Sequence, residues 1–142
     1  MESMTGKERM LMALSNKQPD RVPVSPVLWC MIPCKMTGKP FWEVMYNNNP
    51  PLWKANLDAV KHFGYDGFFD HTDLQLKTPN SQVDYNSTLT KKEDRWEEQC
   101  IIRTPEGDLS TLTVYPKWDP PTLVKKPIVN IEEDFKKIPL HL

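Results

Sequence analysis

Residues 52–74 read LWKANLDAVKHFGYDGFFDHTDL, and the fold expected of the whole chain turns on them. At about 100° per residue, Leu52, Trp53, Leu57, Ala59, Val60 and Phe63 fall within one arc of roughly 160°. Lys54, Asp58, Lys61 and His62 take the opposite side, with His62 solvated at the border. The pattern predicts an amphipathic helix packed on a neighbour. Pro50 and Pro51 suit its entry, where an N–H would have no helical acceptor, and Gly64 suits its exit because it can take the left-handed conformation. Gly67, Phe68 and Phe69 then predict a buried strand that runs into Asp70-His71-Thr72-Asp73. A parallel sheet or barrel carries its chemistry at that end of its strands.

Working outward, Thr5-Gly6-Lys7-Glu8 has capping-box spacing and predicts a helix over 6–15 with Met10, Leu11, Ala13 and Leu14 on its apolar side. Pro19 lies beyond its end. Residues 24–29 are apolar and β-branched enough for a strand, with Pro23 and Pro26 at its start or at an irregularity. Residues 30–39 read as a loop containing Pro33 and Gly38, and 41–45 as a short helix closed by Asn47, Asn48 and Asn49. The order strand, helical crossover, strand generates a parallel sheet, so the class expected is α/β. Residues 78–90 read as polar and irregular. Residues 96–104 and 108–115 alternate, and Thr104-Pro105-Glu106-Gly107 is a turn, giving a hairpin at about 96–115. Asn130 and Glu133 have capping-box spacing for a last helix, stopped by Pro139.

The 142 residues suffice for one domain with a buried core. Their 18 basic and 19 acidic residues, net charge −1, are interspersed, which argues against nucleic acid or an anionic membrane as partner. No apolar run approaches the ~18 residues of a membrane span, and the amino terminus carries no secretory pattern. Three cysteines, an odd number, show no disulfide framework, so the compartment expected is the cytoplasm. Fourteen prolines are about twice the usual ~5% and stiffen the connections.

The segments TGKERMLMAL, PDRVPV, HFGYDGFF, RTPEGDL and IEEDF, in that order, resemble the amino-terminal part of the uroporphyrinogen decarboxylase superfamily, which includes the methylcobamide:coenzyme M methyltransferases. The resemblance covers nearly the whole chain. It implies the first part of a (β/α)8 TIM barrel with an extra amino-terminal helix, and here an inserted hairpin. A complete barrel needs about 250 residues, so 1–142 is expected to be a single partial domain. Two parallel strands leave unpaired edges; a second chain or self-association would complete the barrel.

By the same resemblance, Asp73 falls on the family's catalytic aspartate, which stabilises the positive charge of a protonated pyrrole before carbon dioxide leaves. His71, Trp29 and Met31 would line the substrate pocket. The arginines that grip carboxylates in true decarboxylases have no counterpart in Trp29-Cys30-Met31-Ile32-Pro33-Cys34, which counts against a tetra-acidic substrate. The zinc-binding His and Cys residues of the methyltransferases belong to the family's carboxyl-terminal half. No cofactor is expected on this chain; zinc and a corrinoid partner would belong to a complete methyltransferase-like barrel. Cys30 and Cys34 with His71 could be read as a zinc site, but small buried thiols are the commoner outcome. Trp29, Phe41, Trp42 and Trp53 could line a pocket or fill a core. Two functions follow: an enzyme portion inactive alone, or a non-catalytic module that binds or assembles with a protein partner.

Overall fold

The computed structural model describes residues 4–67 and 82–138. The chain forms two compact units, Met1–Thr72 and Asp73–Leu142.

The first unit opens with α1 (Gly6–Leu14), whose capping box is present: the Thr5 hydroxyl accepts from the Glu8 N–H at 3.3 Å, and the Glu8 carboxylate accepts from the Thr5 N–H at 2.8 Å. Three more helices follow, α2 (Met31–Met36), α3 (Phe41–Met45) and α4 (Leu52–Phe63). Cys30, Cys34, Phe41 and Val44 form the core, with Met45 and Leu52 against it. Gly64 ends α4 in the left-handed conformation at φ 67°, and the Tyr65 N–H reaches back to the Val60 carbonyl at 3.0 Å, the Schellman arrangement. The buried line of α4 is Ala55, Asn56 and Ala59, while Trp53 and Phe63 are exposed. The helix is therefore turned away from the face its large side chains suggest. Two alanines on the inward side let α2 approach closely, and Phe63 instead stacks on Tyr65, 5.4 Å between ring centres.

The second unit is one antiparallel sheet in the order β1-β2-β3-β4, built from β1 (Asp84–Lys91), β2 (Arg95–Thr104), β3 (Gly107–Pro116) and β4 (Thr122–Lys125). Each strand pairs with its sequence neighbour. β2 and β3 turn at Pro105-Glu106, closed by Thr104 opposite Gly107. Trp96 and Leu109 are its buried side chains; both stand on one face, since Leu109 pairs with Ile102, six residues along β2 from Trp96. α5 (Ile131–Asp134) follows, continued by a 3-10 turn, Phe135–Lys137. Asn130 accepts from the Glu132 N–H at 3.1 Å. The reciprocal carboxylate is Asp134, which accepts from the Val129 and Asn130 N–H groups at 3.0 and 2.9 Å, in place of the expected Glu133.

This architecture overturns the expected α/β class and, with it, the first part of a (β/α)8 TIM barrel. Among the described residues no strands run parallel, and the hairpin is the middle of a meander, where an insertion was expected. Residues 24–29 form no strand. Pro23 and Pro26 cannot donate to a ladder, and Trp29 sits at φ 43°, outside extended backbone. Val24 ties the segment to the chain beyond α4: the Asp66 N–H donates to the Val24 carbonyl at 2.8 Å, and the Val24 N–H donates to Asp66 Oδ2 at 2.8 Å. The second expected strand falls on residues 68 and 69, outside the described residues. Three elements appear where none was expected: α2, β1 and the short β4. Residues 31–36 are a helix because Pro33 lies in its first turn, where the missing N–H has no helical acceptor. Residues 84–91 are a strand because the β2 ladder holds them, although both faces are exposed. No helix among the described residues is long and apolar enough to cross a membrane.

Candidate functional site

The most developed polar site lies in the first unit and joins three segments. On α1 the inward face follows Gly6, Arg9, Met10 and Ala13, so a guanidinium stands where an apolar side chain is usual. Arg9 is 4% exposed. Its Nε and Nη2 form a fork on Asp20, to Oδ1 at 2.6 Å and to Oδ2 at 2.8 Å. Nη2 also donates to the Met4 carbonyl at 2.7 Å, and Nη1 donates to Asp66 Oδ1. Arg21 forms a second fork on Asp66, Nη1 to Oδ2 at 2.7 Å and Nη2 to Oδ1 at 2.9 Å. The Val24 N–H gives Asp66 Oδ2 another donor at 2.8 Å.

Local sequence brings these groups together. The capping box aims the first turn of α1 at the chain beyond α4, and Gly6 lets it come close. A Cβ on Gly6 would stand 2.8 Å from the Asp66 carbonyl oxygen and 2.9 Å from its Cα. The turn at Gly64 then delivers Asp66, whose side chain is 3% exposed. Each carboxylate is held ionised. The Arg9 fork holds Asp20 down at about 2. The Val24 N–H, then Arg21 and Arg9, lower Asp66, and Asp20 raises Arg9 further above its ordinary value. A carboxylate that already accepts four hydrogen bonds has no free lone pair for a substrate proton. The cluster therefore acts as a clamp, and its chemistry is positional.

The residues singled out from sequence sit elsewhere. Trp29 is 70% exposed with a left-handed backbone, and Met31, the first residue of α2, is at the surface. His71 and Asp73 lie outside the described residues, as does any relation of theirs to Trp29 or Met31. Cys30 and Cys34 are free, buried in the core beside Phe41 and Val44. Burial pushes both thiols up, Cys34 to about 12 with help from Cys30. Protonated thiols among apolar groups are poor zinc ligands and poor nucleophiles. No group of three or more His, Cys, Asp or Glu side chains among the described residues could hold a metal ion. Phe41 and Trp42 are core, whereas Trp53 is at the surface.

No family model, curated protein or solved structure matches the chain.

The clamp residues were within reach of sequence reading at one point only. An arginine on the inward stripe of an amphipathic helix needs a buried acid, and Asp20 and Asp66 both lie in the segments PDRVPV and GYDG. An open cleft of about 410 Å³ beside the clamp is lined by Lys17, Gln18, Asp20 and Arg21 among others. Two of those four side chains are already committed to the ion pairs.

Proposed function

We propose that this chain is the amino-terminal portion of a uroporphyrinogen decarboxylase-like or corrinoid-linked methyltransferase-like enzyme, inactive until a second polypeptide joins it. The observation that supports this reading is the clamp. The segments TGKERM, PDRVPV and HFGYDG, which carry much of the resemblance, supply Arg9, Asp20, Arg21 and Asp66, and these four bond one another. The resemblance thus rests on mutually dependent residues. The barrel is not part of the proposal. Asp73 would be the carboxylate facing the developing charge, with His71, Trp29 and Met31 beside the substrate, and zinc and a corrinoid would be held by the completing chain. The two buried thiols and the unpaired Cys100 suit a cytoplasmic setting.

The test is the coding DNA after the Leu142 codon, followed by co-expression. A frame encoding a His-x-Cys and a later Cys, whose product copurifies with this chain and transfers a methyl group only when both are present, supports the reading. A product that is active without this chain overturns it.

A second reading, a non-catalytic binding or assembly module, draws on a different observation. Val22, Val27 and Trp29 are 82%, 62% and 70% exposed, and Ile32 and Met36 follow at the surface. Such apolar exposure within one short segment suits a protein partner. An interaction that survives Asp73→Ala and is lost in Trp29→Ser would favour it.

A further inference from the structure

The sheet of the second unit has two edges, and they are built differently. β4 is short, Thr122–Lys125, preceded by Pro120 and Pro121 and followed by Lys126 and Pro127, and its pairing is broken by an irregularity at Leu112/Thr113. Brevity, proline, lysine and a bulge are the features that keep an edge from pairing with another chain. β1 has none of these in its interior. It runs for 8 residues as DYNSTLTK, without proline or glycine and with charge only at its two ends, and seven of the eight are exposed.

The phase of β1 follows from its turn. The Lys92 N–H donates to the Arg95 carbonyl at 2.8 Å, so Lys92 and Arg95 are a hydrogen-bonded pair of the antiparallel ladder. Such pairs recur every second residue. Thr90, Thr88, Asn86 and Asp84 therefore turn their backbone groups toward β2, and Tyr85, Ser87, Leu89 and Lys91 turn theirs outward. We propose that this outward row pairs with the same row of a second copy of the chain, joining two sheets edge to edge about a two-fold axis.

Symmetry and charge fix the register. Only odd-numbered residues face out, so residues of like parity must stand opposite each other, with the axis at Ser87 or at Thr88. An axis at Ser87 sets Asp84 against Thr90. An axis at Thr88 sets Asp84 against Lys92 of the second copy and Tyr85 against its Lys91, each twice by symmetry, with about eight inter-chain backbone bonds. Opposite charges facing across strands select the Thr88 axis. Lys92 has a charge to share, because its present partner Glu97 also accepts from Arg95 Nε, both contacts being 2.7 Å. Lys91 Nζ already lies 4.2 Å from the centre of the Trp96 ring. Tyr85 of the second copy would arrive on the same face and enclose that ammonium between two rings. This pairing is independent of the enzymatic reading.

The experiment is light scattering after size exclusion on the full chain at two concentrations, where twice the 16.6 kDa of one chain is expected at the higher. Ser87→Pro removes an outward N–H and spares the β1–β2 ladder; it should give a monomer with unchanged far-UV circular dichroism. Asp84→Lys should weaken association about tenfold, and Asp84→Lys with Lys92→Asp should restore it. Oxidation of Thr88→Cys in a Cys100→Ser background should give a covalent dimer. A single-chain mass at both concentrations, or a dimer indifferent to the charge swap, overturns the proposal.

Discussion

In the first unit, side chains far apart in sequence are tied together by charge: Arg9 reaches Asp66 across a separation of 57 residues and Arg21 reaches it across 45. In the second, every strand pairs with the strand next to it in sequence. One unit depends on a few saturated side chains and the other on many interchangeable backbone bonds. A buried ion that loses its partner is left with an uncompensated charge, whereas a ladder that loses one side chain keeps its register. Single substitutions should therefore separate the two units sharply.

The largest effect is expected from Asp66→Asn, which removes one of the two carboxylate charges on Arg9, leaving it the Asp20 fork, and takes from Arg21 its carboxylate partner. Amide protection should be lost through residues 4–67 and kept through 84–125, measured by hydrogen exchange and NMR. Loss in both segments together would mean the contrast is wrong. Phe41→Ala opens the apolar core, at 1% exposure, and should destabilise the first unit by about 3–5 kcal/mol in urea titration. Gly6→Ala forces a Cβ against the Asp66 backbone and should cost about 1–3 kcal/mol. Thr104→Val removes the hydroxyl that lies 2.7 Å from the Lys137 carbonyl and should cost the second unit about 1 kcal/mol.

Acid sharpens the same contrast. Asp20 is held at about 2 and Asp66 is also lowered, while an unfolded aspartate titrates near about 3.9. Below that value the unfolded chain binds protons that the folded one does not. The clamp's contribution is thus fully present above pH ~4 and lost as pH falls toward 2. The urea midpoint of NMR peaks from residues 4–67 should fall through that window. Asn in place of Asp20 should flatten the fall.

How much of this was legible follows from the range of each signal. The Thr5–Glu8 box, the Gly64 stop and the Pro105-Glu106 turn are local, and each marks its element in the sequence. α2 was hidden because Pro33 reads as a breaker unless the helix start is known, and β1 because an edge strand exposed on both faces has no apolar alternation to show. The parallel sheet failed for a plainer reason. Residues 24–29 have strand-like side chains, but Pro26 within them and Pro23 just before them cannot donate, and the Val24 N–H is spent on Asp66. Of the candidate site, the sequence marked Asp73 and His71 by resemblance and passed over Arg9, whose meaning depends on acids 11 and 57 residues away.

The two acids that Arg9 holds do not become available together. As the chain is synthesised, Asp20 follows Arg9 by only 11 residues and can engage it well before Asp66 has been made. Asp66 emerges only after α2, α3 and α4 have been made. The first helix must then wait with one side of its guanidinium unfilled, so completion of the amino-terminal unit is timed by the last carboxylate to arrive.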